Sequence, residues 1–404
     1  MKILIIPPGA LPIPAYKGGA VEALIQAYIN FNETQKNDIQ FTIYTIEDFK
    51  EDWNNKYKKT EFKFINQNSI LYKVNRIFRY IINNKLPKVY IGNAFCSEVV
   101  KKLKKEEKKY DAIIVENNPF AVLQLRRIYN NIPIIFHLHN DYLNNTTKKC
   151  KEILNQYDKI IAISEYIKKR IETIESTDKI KVIYNGINTR SFNEEIKQEI
   201  LDEYRKKYDI NESDKVLLFV GRLIKEKGIN ELIDACIRLI DEGQKNLKLI
   251  VIGTKASSDS KNDRFINELI NKGEKYKGNI KFTGFIEYQK LPIFHQISDI
   301  QIIPSKWGEP LGNVVLEGRA SGIKQIVTND GGIPEVVDEK AATIIETNNL
   351  TDNLYKAIKY SLKSEDLSKK TNEMAIEAFS EETYSKNIID LIEREINEYS
   401  KKNK

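Results

Sequence analysis

The chain has 404 residues, 41% hydrophobic and 30% charged, with a formal net charge of +7. That composition suits a water-soluble globular protein with room for two domains. No apolar run approaches the roughly 20 residues of a membrane-spanning helix, so such a helix is excluded.

The three cysteines, Cys96, Cys150 and Cys236, are far apart and form no metal-ligand spacing. They imply a reducing, cytoplasmic setting. Charge is uneven. Residues 1–188 hold 30 Lys+Arg and 20 Asp+Glu, whereas residues 189–404 hold 34 and 37. A basic first half suits nucleic acid, an anionic membrane surface or an anionic acceptor. A lysine-rich surface that only maintains solubility is the commoner cause.

Residues 2–6 form a short apolar run, too short for a secretory leader, and read as a first parallel strand. Residues 7–19 are rich in Pro and Gly and form a loop ending in Gly18-Gly19. Val21, Leu24, Ile25, Tyr28 and Phe31 then have helical spacing. Two glycines before a helix N-terminus can bring backbone N–H groups to a phosphate, although a Gly-Gly pair is more often only a turn. The GxGxxG dinucleotide pattern is absent.

Residues 69–85 repeat apolar side chains at helical spacing, with Lys73, Arg76, Arg79 and Lys85 on the other face. The ordinary reading is a helix packed on the sheet with a solvated basic face. The same pattern would suit a helix lying in a membrane interface. Residues 101–109 are a charge run read as a solvated helix.

Residues 111–115 and 133–139 read as strands. His139 stands at the tip of the second, beside Asn140-Asp141, where ligands bind in open α/β sheets. Residues 189–214 are polar and show no core pattern, and the domain junction is placed at their start. A new strand at 216–220 leads into Gly221-Arg222, four residues, then Lys227-Gly228. Two cations at a strand tip suit a diphosphate. Strands follow at 247–252, 280–283 and 300–304.

After the last of these comes the stretch 304–322, with Glu309, Gly312 and Glu317. The helix that starts after Gly312 exposes N–H groups in its first turn, a ready anion site. A carboxylate on either side would accept hydrogen bonds from hydroxyl groups. A nucleotide sugar has that layout: sugar hydroxyls, diphosphate, ribose diol. Spacing alone is weak evidence, because Glu pairs eight apart are common by chance.

Taken in order, Gly18-Gly19, His139, Arg222 with Lys227, and Glu309 with Glu317 resemble the motifs of retaining glycosyltransferases of family 4. The resemblance covers about 380 residues. It implies a GT-B fold: α/β, two doubly wound Rossmann-like domains facing a cleft. The expected division is 1–190 for the acceptor, 191–380 for the nucleotide sugar, and a helix at 381–404 returning to the first domain. By resemblance, Gly18 and Gly19 close over the donor phosphates, and Phe285 and Ile286 lie where the base is read. Arg222 and Lys227 clamp the diphosphate with the backbone of Leu311, Gly312, Asn313 and Val314. Glu309 holds the sugar, Glu317 the ribose, and His139 contacts the donor sugar. Asn188 replaces the family's usual Asp, Lys324-Gln325 replace Pro-Val, and Arg319 sits where a small apolar residue is common.

The expected reaction moves a sugar from a UDP-linked donor to a saccharide or lipid-linked acceptor in cell-surface polysaccharide synthesis, with no nucleic acid involved. No Asp-x-Asp occurs in the chain, so no metal or other cofactor is expected. Peripheral contact with an anionic membrane is open. Two other readings are a sugar-nucleotide epimerase of the same fold, and a non-catalytic surface-binding protein with a vestigial site.

Overall fold

A computed structural model describes residues 1–47, 53–85, 92–106, 108–254, 264–366 and 368–402. The chain divides into two units. Met1–Gly186 with Glu381–Lys404 make the first, and Ile187–Ser380 the second.

The first unit holds β1 (Lys2–Ile6), β2 (Gln40–Ile46), β3 (Thr60–Ile65), β4 (Ala112–Glu116), β5 (Ile134–Leu138), β6 (Lys159–Ala162) and β7 (Ile180–Val182). They form one sheet in the order β3-β2-β1-β4-β5-β6-β7. The second unit holds β8 (Lys215–Val220), β9 (Leu247–Ile252), β10 (Ile280–Gly284), β11 (Ile300–Ile303), β12 (Lys324–Thr328) and β13 (Ala342–Ile345), in the order β10-β9-β8-β11-β12-β13. All pairings between these strands are parallel.

Parallel strands need helical crossovers, and helices cover both sheet faces, so central strands are apolar throughout. Ile3, Leu4, Ile5 and Ile6 are fully buried accordingly. Strand order reverses between β1 and β4 in one sheet and between β8 and β11 in the other. Loops leaving the C-terminal ends of those strands border a natural ligand crevice. The loops carrying Gly18-Gly19, Arg222 to Lys227 and Glu309 all leave such strands. Both units are thus Rossmann-like, and the fold is GT-B.

The helix Glu381–Lys402 belongs to the first unit. Its Tyr384, Ile388 and Ile392 share a core with Leu24, Ile25 and Tyr28 of the helix Ala20–Thr34. The chain passes to the second unit at Ile187, a few residues before the boundary read from sequence. Ile187 pairs with Ser380 and donates its N–H to Phe379 O at 2.9 Å, which ties it to the second unit.

Several sequence expectations need correction. Residues 189–214 are not coreless, because helices Thr189–Asn193 and Gln198–Lys207 lie there and Phe192 is buried. The run 101–109 is no separate helix: it holds the end of Ala94–Leu103, and residue 107 lies outside the described residues.

The largest reversal is the helix Ile70–Lys85. It packs by its polar side. Tyr72 is buried, Asn75 donates to Glu98 Oε1 at 3.3 Å, and Asn83 donates to Gly92 O at 3.2 Å. Its apolar side faces outward. Amphipathic spacing gives the separation of the two faces, and tertiary contacts choose which one is covered.

Candidate functional site

In the second unit the 304–312 loop is held from below by one carboxylate. Asp330 Oδ2 accepts backbone N–H groups from Trp307 at 3.1 Å, Gly308 at 2.8 Å and Glu309 at 3.0 Å. The Gly332 N–H donates to Glu309 O at 2.8 Å. Gly331 makes this approach possible. Its φ is +58°, and a Cβ there would lie 2.1 Å from Glu309 O.

Glu309 Oε2 accepts from Lys227 Nζ, from Trp307 Nε1 at 2.9 Å and from Ser305 Oγ at 3.4 Å. The structure therefore brings Lys227 and Glu309 into one ion pair, although sequence reasoning gave them separate partners. Lys227 Nζ also lies 5.8 Å from the Trp307 ring centroid. Arg222, beyond the end of β8, is exposed.

Gly312, with φ +89°, precedes the helix Asn313–Ser321. Asn313 and Val314 are half-buried in its first turn, while Leu311 is buried, so its side chain serves loop packing. Glu317 lies one turn further on and is buried. Burial pushes its carboxyl up to about 7, against a Tyr288 hydrogen bond that works the other way. Phe285 is exposed and Ile286 half-buried after β10.

A buried polar network braces this helix. Gln325 donates to Gln301 Oε1 at 2.8 Å and to Val315 O at 3.0 Å, and Gln301 donates to Val314 O at 3.1 Å. The departures from the family pattern are thereby accommodated. Lys324 Nζ donates to Ser361 O at 3.0 Å and Ser364 O at 2.8 Å, and Arg319 Nη1 to Val336 O at 2.8 Å.

The first unit carries Gly18, Gly19 and His139. Gly19, φ +102°, precedes the helix Ala20–Thr34, and a Cβ there would lie 2.3 Å from Glu22 Oε2. His139 is buried, and its Nε2 lies 2.8 Å from Glu116 Oε2. Glu116 Oε1 accepts from Tyr28 OH at 3.0 Å, and His137 Nδ1 lies 3.2 Å from the other oxygen.

Burial holds the His139 imidazole down to about 4, with His137 pushing the same way against Glu116. Burial alone would raise Glu116, but the two imidazoles outweigh it and bring the carboxyl down to about 2. At neutral pH the carboxylate is charged and the His139 ring neutral. The contact to a carboxylate assigns the His139 proton to Nε2. Its Nδ1 then carries a lone pair, buried and without a hydrogen-bond partner among the described residues. Glu116, His137 and His139 are also the described group whose ligand atoms lie close enough, within 4.8 Å of one another, to hold a metal ion.

A cavity of about 440 Å³ opens at this end of the first sheet, lined in part by Asn117, Asn118, Asp141, Tyr142 and Lys148. The larger cavity of the second unit, about 780 Å³, lies at the strand starts Lys215, Ile300 and Lys324, away from Glu309. Sequence reasoning missed Asp330 and Glu116. Each stands at or just beyond a strand's C-terminal end beside Gly or Asn, the position that singled out His139.

Two parallel-sheet units with an anion-ready helix terminus at a switch point define the class of nucleotide-binding GT-B proteins. Residues 201–378 match the family model of glycosyl transferases group 1, and residues 35–191 that of Glycosyltransferase Family 4. The chain belongs to this group 1 and family 4 class of glycosyltransferases. It is 29% identical to the protein YtcC of Bacillus subtilis over 384 residues, 93% of this chain and 86% of that one. It is 25% identical over 229 residues to the lipopolysaccharide 1,2-N-acetylglucosaminetransferase of Salmonella typhimurium, 56% of this chain and 57% of that one. Its fold is similar to Anabaena HepE crystallised with UDP and glucose, with TM-score 0.69, 17% identity, and coverage of 97% and 99% of the two chains.

Proposed function

We propose that the chain transfers a sugar, with retention of configuration, from a UDP-linked donor to a saccharide acceptor in cell-surface polysaccharide or glycoconjugate synthesis. The observation that carries this is the Lys227–Glu309 pair, with Glu309 on a loop pinned by Asp330 that leads through Gly312 into the N-terminus of the helix Asn313–Ser321. The ligands named for HepE support UDP, and the Salmonella relative supports a cell-surface acceptor.

Arg222 and Lys227 bind the diphosphate, together with first-turn amides of the helix Asn313–Ser321. Lys227 then exchanges Glu309 for phosphate oxygens, and the freed carboxylate takes sugar hydroxyls. Glu317 accepts from the ribose diol. Phe285 and Ile286 border the base. In the first unit, the Gly18-Gly19 backbone and His139 Nδ1 are groups that can meet a phosphate and a sugar hydroxyl. The bond from the anomeric carbon to the phosphate oxygen breaks as the acceptor oxygen bonds on the same face. The acceptor proton passes to the departing phosphate, so no covalent enzyme intermediate forms. The two cations stabilise charge growing on that phosphate.

Calorimetric titration with UDP tests the reading. Wild type should bind, and Lys227→Ala and Arg222→Ala should each weaken binding at least tenfold. Failure to bind any nucleoside diphosphate would remove the basis of the proposal.

A further inference from the structure

The outward face of the helix Ile70–Lys85 is apolar along its length. Ile70, Leu71, Val74, Ile77, Phe78 and Ile81 are all exposed, from 45% at Ile81 to 84% at Leu71. At about 100° per residue these side chains fall on one arc. Lys85 lies within that arc and Lys73 about 40° outside it, both exposed, Tyr80 is exposed about 60° outside it, and the exposed Arg76 lies further round toward the packed side. The helix contains no Asp or Glu. Arg79, by contrast, turns inward, donating to Asn75 Oδ1 at 2.8 Å. A contiguous exposed apolar face of this kind marks an interaction surface.

We infer that this helix docks the protein on an anionic lipid bilayer, lying in the interface with its apolar face among the acyl chains. Charge selects the occupant. A second copy laid against this face would bring cations to cations, with no carboxylate on either helix to relieve them. Area agrees. Sixteen residues make a helix about 24 Å long and about 10 Å wide, so one face offers on the order of 250 Å². A stable protein interface needs about 800 Å² per partner. A bilayer lacks that requirement, because it receives the helix lengthwise and supplies negative headgroups to the exposed cations. Tyr80 suits the boundary, with an apolar ring and a polar hydroxyl. Such docking would hold the first unit at the surface where a lipid-linked acceptor is presented, and only that last point rests on the proposed function.

Co-sedimentation of the full chain with vesicles tests the inference. One set is equal parts phosphatidylglycerol and phosphatidylcholine, the other phosphatidylcholine alone. The protein should pellet with the anionic set at low salt, leave it at high salt, and ignore the neutral set. Leu71→Glu with Phe78→Glu, and separately Lys73→Glu with Lys85→Glu, should each lower the bound fraction at least tenfold. All four sites are exposed, so circular dichroism and UDP binding should match wild type. If a double variant fails to fold, Phe78→Trp replaces it, and brominated anionic lipid should quench that indole. Protein that stays in the supernatant at low salt overturns the inference, as does binding unaffected by Leu71→Glu with Phe78→Glu. A salt-resistant dimer without vesicle binding overturns it in favour of a second copy. UDP binding is read separately, so loss of docking leaves the donor site intact, and loss of UDP binding leaves docking intact.

Discussion

Glu309 is at once the most constrained and the most exchangeable side chain of the site. Its backbone is fixed by Asp330 and Gly332, while its carboxylate is shared among Lys227, Trp307 and Ser305. Glu309→Gln should lower turnover sharply while UDP still binds, because the proposed role of Glu309 is at the sugar and not the nucleotide. Parallel loss of UDP affinity would place Glu309 at the nucleotide instead. Steady-state rates for Lys227→Ala and Arg222→Ala should show about 2–4 kcal/mol less transition-state stabilisation each, the scale of one lost electrostatic donor.

Two buried groups give opposite pH dependences. Glu317 keeps its proton up to about 7 when folded, so the folded chain binds the extra proton above the ordinary carboxyl range. Its contribution to stability is therefore lost as pH rises from about 4.5 to about 7. UDP affinity should rise over the upper part of that window if the ribose needs the carboxylate, and Glu317→Gln should flatten the curve. His139 titrates at about 4 when folded, so the unfolded chain binds the extra proton below the ordinary imidazole value. Its contribution is present at neutral pH and lost as pH falls from about 6.5 to about 4. Denaturant unfolding of His139→Gln should lack that acid slope, and an unchanged slope would assign it to other groups.

At the scale of elements, the helix Glu381–Lys402 is part of the first unit's core although it lies nearly two hundred residues away in sequence. Tyr384 is fully buried, and Ile388 and Ile392 pack with Tyr28 and Ile25. Tyr384→Ala should cost about 3–5 kcal/mol, the range for removing a large buried aromatic. Hydrogen exchange should locate the loss in the helix Ala20–Thr34 and the first sheet, not in the second. Strands β2 and β3 were missed from sequence because Gln40, Thr42, Thr45, Thr60, Glu61 and Lys63 interrupt them. They lie at one side of the sheet, where polar residues are tolerated and a continuous apolar run is not required.

For the whole molecule, the proposed function rests donor binding on Arg222, Lys227 and a helix terminus, with no Asp-x-Asp in the chain. Transfer activity should survive EDTA. Complete loss, restored by manganese or magnesium, would move the diphosphate away from these cations and direct attention to Glu116, His137 and His139.

By itself the sequence determined the class of fold, the order of the motifs and the strand tips that carry them. Buried parallel strands read as continuous apolar runs, and loops after them read as Gly, Asn and charged clusters. Those signals are local along the chain. Tertiary structure alone decided three things. It paired Lys227 with Glu309, placed Asp330 under a loop more than twenty residues away, and turned the apolar face of Ile70–Lys85 outward. Periodicity gives a side chain's direction relative to its own helix axis. Its direction relative to the protein body depends on which distant residues supply hydrogen bonds and packing, here Glu98 and Gly92 on the polar side.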